Sequence, residues 1–337
     1  MKKTLPVGKL PPALLEQVLN VLQQNDSRIV LGPGTGLDCA VLDMGDRLLV
    51  CKTDPITFAT QEIGWYAVQV CANDIVTTGA SPRWFMSTLL LPEKKTTQEQ
   101  VMQITREIQR ACQGLGVNVI GGHTEITSGL DRPIVVGCML GEVARDRLIS
   151  PQGAQIGDRI LLSKGVPVEA VSILGREFPS QLQKAFSPQE IQQAANFLME
   201  PGISIVNEAR LACQQGGVHA MHDPTEGGLE AALWEVSEAS RKVLEVNLQN
   251  VVVNSLAERM CKFMGINPLA AIASGALLMV VAADHADIVR RTCQAADILC
   301  MEIGCVVGEG VGVWCKDSGN RSLLPRPISD EIARLYV

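Results

Sequence analysis

Residues 68–80 read VQVCANDIVTTGA. With the residues just before them they form an apolar helical stretch: Ile63, Trp65, Tyr66, Ala67, Val68, Val70, Cys71, Ala72, Ile75 and Val76. Thr77-Thr78-Gly79 closes it, and Gly79 fits a left-handed helix cap. A segment this apolar is a buried helix, yet Asn73 and Asp74 lie in its middle. Both are poor helix formers, and an uncompensated buried carboxylate is costly. Asp74 therefore needs a partner, and the search for that partner organises the rest of the chain.

Working outward, strands and helices alternate. Residues 11–24 have the pattern of an amphipathic helix. RIVLGPGTGLDCAVLDMGDRLLVCKTDPITF, 28–58, reads as strand, glycine-rich turn, strand, turn, strand. A helix over 62–78, a strand over 83–92, a helix over 96–116 stopped by Gly114 and Gly116, a strand entering a turn over 117–127 and a strand over 132–143 follow. SPQGAQIGD, 150–158, is rich in turn residues and marks a boundary, giving domains 1–153 and 154–337. Beyond it RILLSKG restarts a strand. Helices are expected near 167–176, 187–198 and 203–216, a strand end, turn and helix over 216–240, a strand over 273–283, a helix near 284–296 and a strand near 301–308. The class is α/β (α+β), in two domains.

Composition bounds the function. A chain of 337 residues suits roughly two domains. It is 47% hydrophobic and 19% charged, the balance of a globular protein. A net charge of −7 without a basic run argues against binding nucleic acid or an anionic membrane. The longest apolar run, GALLMVVAA at 275–283, falls well short of the ~20 residues that span a bilayer. No apolar segment follows the two lysines of MKKTLPVGKLPP, so no signal peptide is read and a cytoplasmic location is expected. Eleven cysteines, an odd number without any C-x-x-C, sit mostly among aliphatics and are read as reduced and buried.

Four aspartates share one kind of setting. Asp38 follows GPGTGL, Asp54 ends the strand LLVCKTD, Asp74 lies in the buried helix and Asp223 opens DPTEGG. Carboxylates converging on a cleft repel one another unless a cation lies between them, and hard oxygen donors suit Mg²⁺ completed by phosphate oxygens. Singly, such an Asp is more often a turn or cap residue; Asp74 is the exception, having no turn to make. GPGTG (32–36) and GGHTE (121–125) both follow apolar strands, where glycine lets backbone N–H groups approach an anion. Neither is a Walker A loop, and each alone is more often a tight turn. Lys52 is given no role. Lys164, in SKG, is read as an exposed residue, with contact to a phosphate as the alternative.

Taken in order, GLDCAVLD (36–43), TDP (53–55), ANDIVTTGASP (72–82), GGHTE (121–125), GD (157–158) and DPTEGGL (223–229) resemble the AIR synthase-like (PurM-type) ATP-binding superfamily. That group includes aminoimidazole ribonucleotide synthetase, thiamine-monophosphate kinase, selenophosphate synthetase and the hydrogenase-maturation HypE proteins, and the HypE branch looks nearest. The resemblance implies two α/β domains, the N-terminal one supplying strands to a β-barrel shared in a homodimer. It implies ATP and Mg²⁺ as cofactors, with Asp38, Asp54, Asp74 and Asp223 on the metal. Gly34, Gly36, Asn73, Gly121, Gly122 and Thr124 would contact the nucleotide, and His123 and Glu125 are the candidate catalytic residues. Asp74 would then be paired with Mg²⁺–ATP.

The HypE proteins end in a Pro-Arg-Ile-Cys tail whose cysteine carries the group being dehydrated. The sequence here ends SDEIARLYV and its last cysteine is Cys315, so that carrier is expected to be missing. His123 stands where thiamine-monophosphate kinases have an acidic residue. The reading is an ATP-dependent enzyme that phosphorylates or activates a small acceptor at an amide or carbonyl oxygen. A non-catalytic ATP-binding partner of another maturation protein, and a small-molecule kinase, are the alternatives. His222, beside Asp223, is read either as a turn residue or as part of the site.

Overall fold

The computed structural model describes residue 5 and residues 8–22, 25–317 and 320–336. In chain order its elements are α1 (Pro12–Val21), β1 (Ile29–Leu31), β2 (Ala40–Asp43), β3 (Leu48–Ile56), α2 (Ile63–Thr77), β4 (Ser81–Pro92), α3 (Gln98–Leu115), β5 (Asn118–Thr127) and β6 (Ile134–Val143). They continue with β7 (Arg159–Ser163), α4 (Val168–Glu177), α5 (Pro179–Leu182), α6 (Pro188–Ala195), α7 (Val206–Gln215), β8 (Val218–His222), α8 (Gly228–Ser240) and β9 (Lys242–Val246). The last are α9 (Ser255–Met264), β10 (Leu278–Val281), α10 (Ala286–Ala295), β11 (Cys300–Glu309), β12 (Gly312–Asp317) and β13 (Asn320–Leu323). The architecture is mixed α and β around two sheets. Contacts divide the chain into two units: one of Asp26–Gly32 and Asp38–Leu148, the other of the described part of Met1–Asn25 with Pro33–Leu37 and Ile149–Val337.

The smaller unit is a six-stranded sheet in the order β1-β2-β3-β6-β4-β5, antiparallel except for the parallel β4–β5 pair. Helix α2 lies on it and is buried at every residue except Trp65. Two glycines of β6 let it lie that close. A Cβ at Gly137 would sit 2.6 Å from Cys71 Sγ, and one at Gly141 would sit 2.4 Å from Ile75 Cγ2. Along β6 the odd-numbered residues are buried while Ile134, Val136, Cys138 and Leu140 are half-exposed. The sheet thus has one face sealed and one apolar face less covered. Helix α3 packs against α2; Thr97 caps it by accepting from the Gln100 N–H at 3.2 Å, and Gly116 ends it at φ 68°.

The larger unit has a seven-stranded sheet, β13-β12-β9-β11-β7-β10-β8, antiparallel except between β12 and β9. Its core includes Ile160, Leu162, Leu229, Leu233, Leu278 and Ile303.

The element order expected through 143 holds, with one difference. GGHTE does not enter a turn but continues as β5, an edge strand exposed from Asn118 to Ile126. The reason is Gly122: a Cβ there would lie 2.2 Å from the Ser87 carbonyl oxygen, so this glycine serves close strand pairing with β4. In the larger unit, the strand expected over 273–283 shrinks to β10, although residues 270–281 are all buried. Strand β9, helix α9 and the β12–β13 hairpin had no counterpart in the sequence reading. All eleven cysteines are free thiols.

Candidate functional site

Strand alternation puts Lys52 and Asp54 of β3 on one face, in line with buried Leu48, Val50 and Ile56. That face lies under α2, and Asp74 projects from α2 toward it. Lys52 Nζ is 3.3 Å from Asp74 Oδ2 and 3.5 Å from Asp54 Oδ2, with side-chain exposures of 14% for Lys52, 1% for Asp74 and 27% for Asp54. Burial works against the Lys52 ammonium, but Asp74, then Asp38 and Asp54, hold its pKa well above the usual lysine range. The partner of Asp74 is therefore Lys52, a residue the sequence reading left without a role. The signal was present: a lysine in register with Leu48, Val50 and Ile56 on a strand's sealed face must be compensated.

The structure thus gathers Asp38, Asp54 and Asp74 around one ammonium. Asp54 and Asp74 lie within 3.5 Å of the ammonium and Asp38 acts on it electrostatically. All the donors are hard oxygens, as Mg²⁺ requires. The set fits the metal that the sequence reading implied. Asn73, the neighbour of Asp74, is fully buried.

The other sequence-predicted residues of this unit lie on β5. Gly121 pairs with Met86, Gly122 with Ser87 and Thr124 with Leu89. His123 Nε2 is 3.3 Å from Glu125 Oε2, both side chains are more than half exposed, and Glu125 Oε1 accepts from Thr127 Oγ1 at 3.0 Å. Beside them a cavity of about 240 Å³ opens between β5, β4 and α3, lined by Ser87, Leu89, Thr105, Ile108, Gly122 and Thr124.

In the larger unit, Asp223 follows β8 and is fully buried. His222 beside it is no turn residue: it ends β8, is 1% exposed, and its Nε2 lies 2.7 Å from Glu235 Oε2 on α8. Lys9 Nζ donates to Thr225 Oγ1 at 3.1 Å and lies 3.6 Å from Glu235 and 3.7 Å from Glu226. Gly228, at φ 59°, meets the Ala271 carbonyl so closely that a Cβ would lie 2.6 Å from it. Gly34 and Gly36 form a tight turn, with the Leu37 N–H donating to the Gly34 carbonyl at 3.2 Å. A Cβ at Gly36 would lie 2.7 Å from the Glu235 carbonyl. A second cavity of about 240 Å³ is bordered by Lys9, Gly36, Glu226, Glu235, Arg326 and Asp330. Asp330 accepts from the Gly227 and Ile332 N–H groups at 2.7 and 2.8 Å, and burial pushes its carboxyl up to about 7. Lys164 is not exposed: its Nζ donates to the Gly202 and Ser204 carbonyls at 3.2 and 2.5 Å and lies 2.7 Å from Glu208. It ties a loop rather than facing a ligand.

The chain belongs to the AIR synthase-related family: residues 36–143 match the model of the AIR synthase related protein N-terminal domain, and residues 155–316 that of its C-terminal domain. Among curated proteins the chain is 27% identical to a putative hydrogenase expression/formation protein of Methanocaldococcus jannaschii, over 99% of this chain and 100% of that one. Among solved structures it resembles the HypE–HypF complex at TM-score 0.75 and 20% identity, covering 94% of this chain and 100% of that chain. It also resembles hydrogenase maturation protein HypE in complex with ATP at TM-score 0.70 and 22% identity, covering 92% and 90%. Among the described residues, no helix is long and apolar enough to cross a membrane.

Proposed function

We propose that the chain is a Mg²⁺-dependent, ATP-using protein of the HypE kind that phosphorylates or activates an oxygen of a small acceptor. The observation that carries the reading is the pair Asp54 and Asp74 facing Lys52 at 3.5 and 3.3 Å beneath a buried helix. The ATP complex of HypE, a protein of the same fold, supports the choice of nucleotide. Asp38, Asp54 and Asp74 would hold the metal, with Asp223 a further donor on the strength of its motif alone. When bound, Mg²⁺ neutralises phosphate charge and orients the transferring group.

The chain's own contribution is positioning. Asp74 is fixed by a helix packed on glycines, and Asp54 by β3. Gly121, Gly122 and Thr124 lie on the edge strand β5, whose backbone N–H groups alternate between β4 and the open side. His123 and Glu125, 3.3 Å apart, form a pair in which the carboxylate orients the imidazole for proton exchange with the acceptor.

The reading includes a homodimer. Strand β5 leaves a ten-residue sheet edge open, with Val119, Ile120 and Ile126 exposed, and the half-exposed face of β6 is apolar. Such an edge and face invite pairing with a second copy.

Calorimetry with a non-hydrolysable ATP analogue tests the metal dependence. Micromolar affinity is expected with Mg²⁺, about −7 to −8 kcal/mol. Equal affinity in EDTA would overturn the proposal. A second reading, an ATP-binding partner in assembly with little turnover of its own, is favoured by the likeness to the HypE–HypF complex. ATP turnover measured with and without a small-molecule extract separates the two.

A further inference from the structure

Resting on the metal-binding reading above, we infer that Lys52 is a resident counter-cation. It keeps the carboxylates assembled without metal and bars a free divalent ion from them until a nucleotide arrives.

The argument begins from charge and burial. Two carboxylates, Asp54 and the 1% exposed Asp74, lie on either side of the Lys52 ammonium, and Asp38 acts on it electrostatically. The ammonium lies 3.3 Å from Asp74 and 3.5 Å from Asp54, the place where a cation has most to gain. It is tethered on β3, so it is always at hand. Mg²⁺ bonds its oxygens at about 2.0–2.1 Å. A metal that close to Asp74 Oδ2 would stand beside the ammonium, and two positive charges at that separation repel. A free metal ion must therefore drive Lys52 away from two carboxylates at once.

A metal carried on a triphosphate meets a different balance. The phosphates bring several negative charges, enough to satisfy the ion and the lysine together. Lys52 then has a new anionic partner without leaving the site. The residue thus acts through position, setting the order in which the site fills: the nucleotide brings its metal.

The test uses Mn²⁺ in place of Mg²⁺, because unbound Mn²⁺ is counted directly by electron paramagnetic resonance. Wild type is expected to take up Mn²⁺ at least tenfold more weakly without nucleotide than Lys52→Met does. Lys52→Met should melt lower than wild type in EDTA and recover on adding MnCl₂ alone, whereas wild type should not respond. Lys52→Arg, which keeps the charge, should behave as wild type. If Lys52→Met does not fold, wild type alone decides. Mn²⁺ uptake that is weak without nucleotide and at least tenfold stronger with a non-hydrolysable ATP analogue upholds the inference. Uptake by wild type without nucleotide as tight as uptake with it overturns the inference. So does equal metal-only affinity in wild type and Lys52→Met. The metal-only arm contains no nucleotide, so a chain that fails to bind ATP at all is recognised separately by the calorimetry.

Discussion

Replacing Asp74 by asparagine keeps the side chain's shape and removes its charge. From the sequence alone, relief of repulsion among the carboxylates would leave the ligand-free protein unchanged or slightly more stable. Lys52 reverses that sign. At the observed 3.3 Å separation, the Lys52–Asp74 attraction is ~5 kcal/mol at an effective dielectric constant of about 20. Removing one member of a buried pair costs ~3–5 kcal/mol when the other is stranded. Here Lys52 keeps Asp54 at 3.5 Å, and repulsion from Asp38 and Asp54 is relieved, so a loss of about 2 kcal/mol is expected. For a chain of this size, with an unfolding entropy of about 2.1 cal/mol/K per residue, that corresponds to a Tm lower by roughly 3 °C, by scanning calorimetry at pH 7. Asp54→Asn, at a 27% exposed position, should cost less than half as much. Affinity for a Mg²⁺–ATP analogue should fall at least about tenfold in Asp74→Asn, roughly 1.4 kcal/mol. A variant as stable as wild type would refute the claim that Lys52 and Asp74 hold each other.

Three further outcomes are expected. Burial raises the Asp330 carboxyl in the folded state from the ordinary aspartate range to about 7, so the native state holds the extra proton. Its contribution is fully present below the unfolded value and is lost as pH rises toward 7, at a slope of up to ~1.4 kcal/mol per pH unit. Asp330→Asn should flatten urea-derived stability between pH 4 and 7, and an unchanged slope counts against the assignment. Gly141→Ala drives a Cβ against Ile75 Cγ2 and the Ser81 carbonyl, 2.4 and 2.9 Å away, and should cost about 1–3 kcal/mol in urea unfolding. Leu140→Arg, on the half-exposed face of β6, should convert a dimer to a monomer of 36.2 kDa by light scattering, with circular dichroism unchanged. A wild type that is already monomeric at micromolar concentration would contradict the proposed homodimer.

The N-terminal half of the fold was legible because its signals are local. Alternation in β3, apolar saturation in α2 and helical spacing before Gly116 each announce one element. The larger unit was less so. Ala270–Val281 is buried throughout, and burial alone does not distinguish a strand from packed loop, so the strand was drawn too long. Helix α9 was missed although Asn254 caps it, accepting from the Leu256 N–H at 2.9 Å, and Gly265 ends it at φ 70°. At the candidate site Asp54 and Asp74 stood out by their settings, but the lysine between them did not. Lys52 was read by its neighbours in sequence, whereas its meaning comes from α2 crossing over the strand. The Glu235 partner of His222 was out of reach for the same reason: it is 13 positions away and meets His222 only in three dimensions.

The central claim is that Asp38, Asp54 and Asp74 receive the metal of a bound nucleotide. Crystals grown with Mn²⁺ and a non-hydrolysable ATP analogue, measured at the manganese absorption edge, test it most directly. An anomalous peak within about 2.3 Å of carboxylate oxygens of Asp54 and Asp74, with phosphate oxygens completing the shell, is the expected result. An ordered nucleotide whose metal lies away from these carboxylates, with Lys52 still between Asp54 and Asp74, would contradict it.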